Sequence, residues 1–335
     1  MPLDEYKNYI NVKYYNLTQI SSFFPKNLSI LQSCLAKCVP KLYIIFMKRY
    51  EFTEKQVPCA VFMSGSGSNA EALIEFERRA EEPAYHVKVL VTDAPESSRA
   101  REIAGKYGLP IVEHDIKEFY RKHGEETTKL DSPHRCELRE LWSDELYRKV
   151  AAFSPAFGCF AGFVPLSNIA LRIPCLNVHP GDLTREDAER RRLYAGLHVL
   201  PVEKAILNGD EALRSSVILV QPYTGSGAKE MDGGPVLGVS KALEIDMGNY
   251  SLDDLSSFKR ARTPGQKCCD PLRKMALEHI EKLKTAGDHV VFPRAAADFA
   301  SGLFSVEDDR LFYRGERVLS VEYSVDSPPR SLGIG

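Results

Sequence analysis

Residues 57–82 read VPCAVFMSGSGSNAEALIEFERRAEE, and the order of events in that stretch decides the fold. An apolar run stops at glycine, as a buried strand does. A short Gly/Ser loop follows. The chain then takes up helical spacing, with Ala72, Leu73, Phe76 and Ala80 recurring every one to four residues. Strand, glycine-rich turn and helix in that order make the first half of a βαβ unit.

The same alternation continues outward. YHVKVLVTD (85–93) reads as a second strand, and SSRAREIAGKYG (97–108) as a helix with a Ser N-cap and Gly108 as its stop. LPIVEHD (109–115) is a third strand, and the charged region 116–153 forms one or two amphipathic helices. FGCFAGFV (157–164) and IPCLNVHP (173–180) are the fourth and fifth strands. HVLPVEKAILNGD (198–210) is a helix ending at Gly209, and SSVILVQP (215–222) and PVLGVSKALEI (235–245) are further strands. Residues 246–270 read as a loop. Leu272, Met275, Ala276, His279, Ile280 and Leu283 mark one buried stripe of a long helix over about 270–300, with His279 a packing histidine. Residues 303–323 suggest a hairpin turning at Glu307–Arg310. Strands alternating with helices imply an α/β fold: a doubly wound, mostly parallel sheet, finished by a C-terminal helix and β-hairpin. Ligands of such sheets bind beyond the carboxyl ends of the strands, where strand order reverses.

The chain has 335 residues and a net charge of -2, so no global basic excess points to nucleic acid. Cys59, Cys159 and Cys175 sit in apolar runs and read as small buried hydrophobes. No Cys/His spacing suggests a metal, no apolar run is long enough to span a bilayer, and a reducing, cytoplasmic setting fits. Residues 1–56 read as a poorly ordered N-terminal extension, 57–318 as the folded domain and 319–335 as a frayed tail. The first forty residues are rich in Asn, Tyr, Lys and Ser, and Met47 is the expected natural start, with a short interfacial anchor as the alternative reading of KLYIIF (41–46).

Three groups of residues can carry chemistry. Gly65, Ser66, Gly67, Ser68 and Asn69 lie between a strand and a helix. Glycines there let the backbone turn and approach an anion, and the helix N-terminus offers free N–H groups, so the segment is either a phosphate cradle or a tight βα turn. Asn177 and His179 are two apart on a strand, so both leave it on one face toward the crevice. An amide donor beside a titratable imidazole can hold an oxygen that becomes negative. Asp232 lies in Met231-Asp232-Gly233-Gly234-Pro235, which is either an accessible carboxylate on a close-approaching loop or an ordinary turn.

Taken jointly, Ser64–Asn69, Ala161-Gly162-Phe163, Asn177-Val178-His179-Pro180 and Asp232-Gly233-Gly234-Pro235 resemble the folate-dependent formyltransferase family, most of all its branch acting on glycinamide ribonucleotide. Gly196-Leu197-His198, Asn208-Gly209-Asp210 and Gly287-Asp288-His289 strengthen the resemblance, which covers about 57–318. It implies a Rossmann-like formyltransferase fold and Asn177, His179 and Asp232 as catalytic residues. The co-substrate would be 10-formyltetrahydrofolate, held by Phe163, Val164, Leu166, Met231 and Gly233. Gly65, Ser66, Gly67, Ser68 and Asn69 would hold the phosphate of a small amine acceptor, and Asp288 its ribose. No metal, nucleic acid or membrane is implied, and the chain would act as a monomer or homodimer in purine biosynthesis.

The chain also departs from the family. Gly181-Asp182-Leu183 replaces the usual Ser-Leu-Leu, Pro165 stands where many members carry arginine, and YTGSGAKE (223–230) is a longer folate loop. The charged run Arg185–Arg192 reads as a helical insertion over the site mouth or as a solvated face. Transfer to another amine such as an amino sugar, or hydrolysis of formyltetrahydrofolate, therefore remain open within the family. Outside it, Gly65, Gly67, Ala70 and Asp93 also fit a nicotinamide-dependent dehydrogenase, whose ribose-binding acid ends the second strand, or a non-catalytic nucleotide-binding module.

Overall fold

Nine strands form the central sheet of the computed structural model, which describes residues 48–222, 232–263 and 269–333. In chain order the strands of the chain are β1 (Lys48–Arg49), β2 (Val57–Met63), β3 (Tyr85–Thr92), β4 (Ile111–Glu113), β5 (Phe157–Phe160), β6 (Cys175–His179), β7 (Ala212–Leu213), β8 (Ser216–Leu219), β9 (Val236–Ser240), β10 (Leu243–Glu244), β11 (Phe304–Glu307), β12 (Arg310–Tyr313), β13 (Glu316–Val318), β14 (Ser320–Tyr323) and β15 (Arg330–Leu332). The main sheet runs β15-β14-β9-β8-β6-β5-β2-β3-β4. β4 through β6 pair parallel, as do β9 and β14, while β8 lies antiparallel between β6 and β9. The sheet is thus mostly parallel, as the alternating pattern requires.

The central strands are largely apolar because both faces are covered, β2 and β5 along their whole length. On β2, Cys59, Val61 and Met63 enter one core with Leu73, Ile103, Val291 and Phe299. Ala60 and Phe62 enter the other with Trp142, Phe119 and Leu146. Helices Ser68–Arg79, Ala100–Tyr107 and His289–Ala300 contribute to the first layer, and Ile116–Lys122 and Pro133–Ala151 to the second. Strand order reverses between β2 and β5, since the chain runs outward to β4 and returns on the other side of β2. That reversal opens the crevice in which the candidate residues gather.

Buried Cys59 and Cys175 have thiols pushed well above their ordinary range by burial, which suits packing. His279 is buried and satisfied: its Nδ1 bonds the Met275 carbonyl at 2.8 Å and its Nε2 accepts from the Asp246 N–H at 3.0 Å. The long C-terminal helix is two helices, Pro271–Leu283 and His289–Ala300, joined by one π turn, Lys284–Asp288. Such a turn is a common marker of a functional position. Here it places Asp288 inside the crevice.

Four expectations need correction. The segment 319–335 is not a frayed tail: Ser320–Tyr323 joins the main sheet parallel to β9, with Val321 and Tyr323 buried, and β15 pairs with it. The boundary at 57 comes too late, because β1 pairs with β11 and Tyr50 packs on Phe299 at 4.8 Å between ring centroids. Residues 246–270 include a helix, Leu252–Arg260, opened by a Ser251/Asp254 capping box. Ser97 and Ser98 do not cap the second helix; Arg99 holds the N-cap position without a side-chain bond. The hairpin turn at 307–310 stands as read, with Asp308 and Asp309 both at positive φ. Residues 1–47, 223–231, 264–268 and 334–335 lie outside the described residues, and with them the expectations for Met47 and for 223–230.

Candidate active site

β6 ends at His179, and its pleat sends Asn177 and His179 to the same side. Both line a cleft of about 430 Å³ at the carboxyl ends of β2, β5 and β6. His179 is 3% exposed. Its Nε2 donates to the Tyr194 carbonyl at 2.7 Å, and its Nδ1 lies 3.4 Å from Asp232 Oδ1. Both ring nitrogens therefore face acceptors. The Asn177 side-chain amide has no hydrogen-bond partner among the described residues.

Asp232 reaches His179 from the turn before β9. It sits at φ 61°, a left-handed conformation rare for a non-glycine residue. The Gly196 N–H donates to its Oδ2 at 3.1 Å. Two residues on, a Cβ at Gly234 would lie 1.6 Å from the Leu219 carbonyl oxygen, so only glycine lets this turn lie against β8.

Of the expected phosphate-binding residues Asn69 lines the cleft, and Gly65, Ser66, Gly67 and Ser68 are not among its lining residues. Gly67 is the N-cap of helix Ser68–Arg79 at φ 71°, and Gly65 and Ser66 are exposed. Beneath the loop the Ser64 hydroxyl donates to Asp93 Oδ1 at 2.5 Å and accepts from the Val164 N–H at 2.9 Å. Asp93 is buried, and burial lifts its carboxyl above the usual range despite the Ser64 bond. The acid that a dinucleotide site would present to a ribose is therefore turned inward under the loop.

No family model matches the chain. Solved structures do. A phosphoribosylglycinamide formyltransferase from Coxiella burnetii superposes with a TM-score of 0.52 at 17% identity, over 78% of this chain and 96% of that one. A glycinamide ribonucleotide transformylase 1 from Symbiobacterium toebii gives 0.52 at 20% identity, over 79% and 98%. A phosphoribosylglycinamide formyltransferase from Anaplasma phagocytophilum gives 0.51 at 18%, over 80% and 99%. The chain has the formyltransferase fold. In sequence it is 25% identical over 218 residues to the trifunctional purine biosynthetic protein adenosine-3 of Drosophila pseudoobscura pseudoobscura, a match covering 61% of this chain and 14% of that protein's length.

Within this formyltransferase fold Asp288 lies in the cleft, but both its oxygens are engaged. Asn69 Nδ2 donates to one at 3.0 Å and the Ser215 hydroxyl donates to the other. Burial lifts its carboxyl above the usual range, and the two hydrogen bonds pull it back. A ribose hydroxyl would use the lone pairs that remain. Of the expected folate wall, Val164 is 49% exposed at the cleft, and Leu166 lines it. Phe163 lines it too, while its ring packs inward, 5.4 Å from Phe62 and 5.2 Å from Phe160. Gly233 borders the cleft, and Met231 lies outside the described residues.

The charged run Arg185–Arg192 is not a helix. It is a loop closed by a bridge between Glu186 and Arg192, with Asp187 accepting from the Glu189 and Arg191 N–H groups. Turn-forming Asp side chains compete with helix in this way. Sequence reasoning missed Tyr194 and Ser215, which act through a carbonyl or a hydroxyl and have no motif of their own. Arg139 was also missed. It is buried on helix Pro133–Ala151 and donates to the Leu166 carbonyl at 3.0 Å and the Thr128 carbonyl at 2.7 Å, bracing the Val164–Leu166 wall. Among the described residues no His/Cys/Asp/Glu group could hold a metal, and no helix is long and apolar enough to cross a membrane.

Proposed function

We propose that the chain transfers a formyl group from 10-formyltetrahydrofolate to an amine, with glycinamide ribonucleotide as the acceptor, in purine biosynthesis. The observation that carries this reading is the meeting of Asn177, His179 and Asp232, from a strand end and a separate turn, in a cleft that Asn69 and Asp288 also line. The cleft volume of about 430 Å³ suits a small ligand, and its Val164–Leu166 side gives an apolar wall for a flat ring.

The formyl donor supplies an activated carbonyl carbon. The acceptor amine forms a bond to that carbon, the bond from carbon to the folate nitrogen breaks, and one proton passes from the amine to the leaving nitrogen. Asn177 donates to the formyl oxygen as negative charge grows on it. At 3.4 Å the Nδ1 approach to Asp232 is longer than an ordinary N–H···O bond, so that proton remains available to the same oxygen or to a bridging water. Asp232 balances the imidazolium and guides the proton. The exposed N–H groups at the start of helix Ser68–Arg79 receive the acceptor's phosphate.

The test is a formyl-transfer assay over a panel of phosphorylated and unphosphorylated amines, with His179→Ala and Asp232→Asn variants. Each variant should lose on the order of a hundredfold in turnover, with substrate binding little changed. The double variant should be hardly worse than either, because the pair acts as a unit. Tight NAD(H) binding by calorimetry, with no reduced-folate binding, would overturn the proposal in favour of a dehydrogenase.

A further inference from the structure

Residues 192–196 touch the proposed catalytic pair at three places. The Arg192 guanidinium donates to the Asp232 carbonyl and to the Gly234 carbonyl. The Tyr194 carbonyl accepts from His179 Nε2 at 2.7 Å, and the Gly196 N–H donates to Asp232 Oδ2 at 3.1 Å. The same segment is anchored on its far side. The Tyr194 hydroxyl donates to Asp210 and accepts from Asn208 at 3.1 Å, and the Arg185 guanidinium lies 5.9 Å over the Tyr194 ring. The Glu186–Arg192 bridge and the Leu193 N–H bond to the Arg185 carbonyl at 3.0 Å close the loop that delivers Arg192.

Asp232 needs such support. A left-handed backbone is uncommon at a residue with a Cβ, and positions of this kind persist when the surroundings over-determine them. A planar guanidinium can bond two carbonyls two residues apart at once, and charge-assisted bonds are the stronger kind. Burial lowers the Arg192 guanidinium from its ordinary value, and the carboxylates of Glu186 and Asp232 counteract that.

We infer that Arg192 is a positioning residue: it fixes the Asp232–Gly234 turn so that the Asp232 carboxylate stays beside His179, with residues 192–196 as a strap across the pair. The inference rests on the formyl-transfer reading for its catalytic consequence but not for its geometry. The experiment measures kcat and KM for formyl transfer in Arg192→Ala and Arg192→Lys, with the urea midpoint of each, and repeats the assay with millimolar guanidinium ion. It also follows backbone amide exchange across 232–236. The expected result is a fall in kcat of about 10- to 100-fold, the scale of an ångström-level misplacement, with KM within about twofold. Guanidinium should recover part of the Arg192→Ala loss, and exchange at Gly233 and Gly234 should quicken in both variants. Wild-type kcat in both variants, or a loss without guanidinium rescue that follows the unfolded fraction, overturns the inference. If the wild-type chain forms no formylated product with any amine, the functional proposal fails. The exchange experiment then decides the strap alone: quickened exchange sustains it and unchanged exchange removes it.

Discussion

Replacing Gly67 with alanine tests whether the glycine-rich loop is built for the chain or for a ligand. At φ 71° an alanine pays roughly 1–2 kcal/mol for the left-handed backbone. Its Cβ would lie 2.4 Å from Ile103 Cδ1 and 2.6 Å from Met63 Cε, both inside the first core. The Met63 tip can swing aside, whereas Ile103 is fixed on helix Ala100–Tyr107, so overpacking adds about 1–3 kcal/mol. The sum is about 2–5 kcal/mol of lost stability. With a urea slope near the upper end of the usual range, about 3 kcal/mol/M, the midpoint should drop by roughly 0.7–1.7 M. Gly65 differs: a Cβ there has nothing within 4 Å and points into open space at the loop mouth. Gly65→Ala should keep its midpoint within about 0.5 kcal/mol of wild type. The apparent KM for a phosphorylated acceptor should rise, with reduced-folate binding unchanged. Urea unfolding followed by circular dichroism, beside acceptor kinetics, reads both effects. A Gly67→Ala protein with the wild-type midpoint would refute the reasoning, and so would a Gly65→Ala protein that loses folate and acceptor binding equally.

His114 supplies a pH prediction: burial first, then the Lys149 charge, lower its pKa to about 4, against Glu145 and Asp115, and it stacks on Trp142 at 5.8 Å. Because the folded value lies below the unfolded one of about 6.5, its contribution is complete above pH 6.5 and is lost as pH falls toward 4. His114→Phe should flatten that part of a stability–pH profile measured by urea unfolding, and an unchanged slope would count against it. Glu203, 1% exposed and bonded by Lys259 and Arg262, should cost about 1–3 kcal/mol when changed to alanine, since its charge-assisted hydrogen bonds are lost while its partly exposed partners regain water. A urea midpoint indistinguishable from wild type would show that Arg262 relies on Asp270 alone.

The parts of the fold that could be read in the sequence are those whose neighbours are dictated locally. β2 and β5 are continuous apolar runs because two layers cover them, and β3 and β6 are largely so. Helix Leu252–Arg260 was hidden because only Leu255 on it is buried, so no apolar stripe exists to see; its remaining signal was the Ser251/Asp254 capping box. β14 was hidden for the opposite reason. Ser320–Tyr323 is strand-like by itself, but its place depends on pairing with β9, about eighty residues earlier, and nothing local distinguishes a sheet strand from a tail.

The same division runs through the candidate site. Asn177 and His179 share a face by strand geometry alone, so their convergence followed from spacing two, and Asp232 followed from a family pattern. What sequence could not supply is the state of each group. Asp288 could be placed near the site, yet its two oxygens are taken by Asn69 and Ser215, 219 and 73 residues away. Arg190, Arg191 and Arg192 are identical as letters. Arg191 pairs outward with Asp187 and Glu189, whereas the Glu186–Arg192 bridge and the Leu193 N–H bond to the Arg185 carbonyl set Arg192 on the inner side of the loop, against the Asp232 turn. A charged run with no motif of its own can therefore sit next to the proposed catalytic pair and take a share in holding it. Here the 185–192 loop reaches Asp232 through the backbone, a contact that no side-chain motif records.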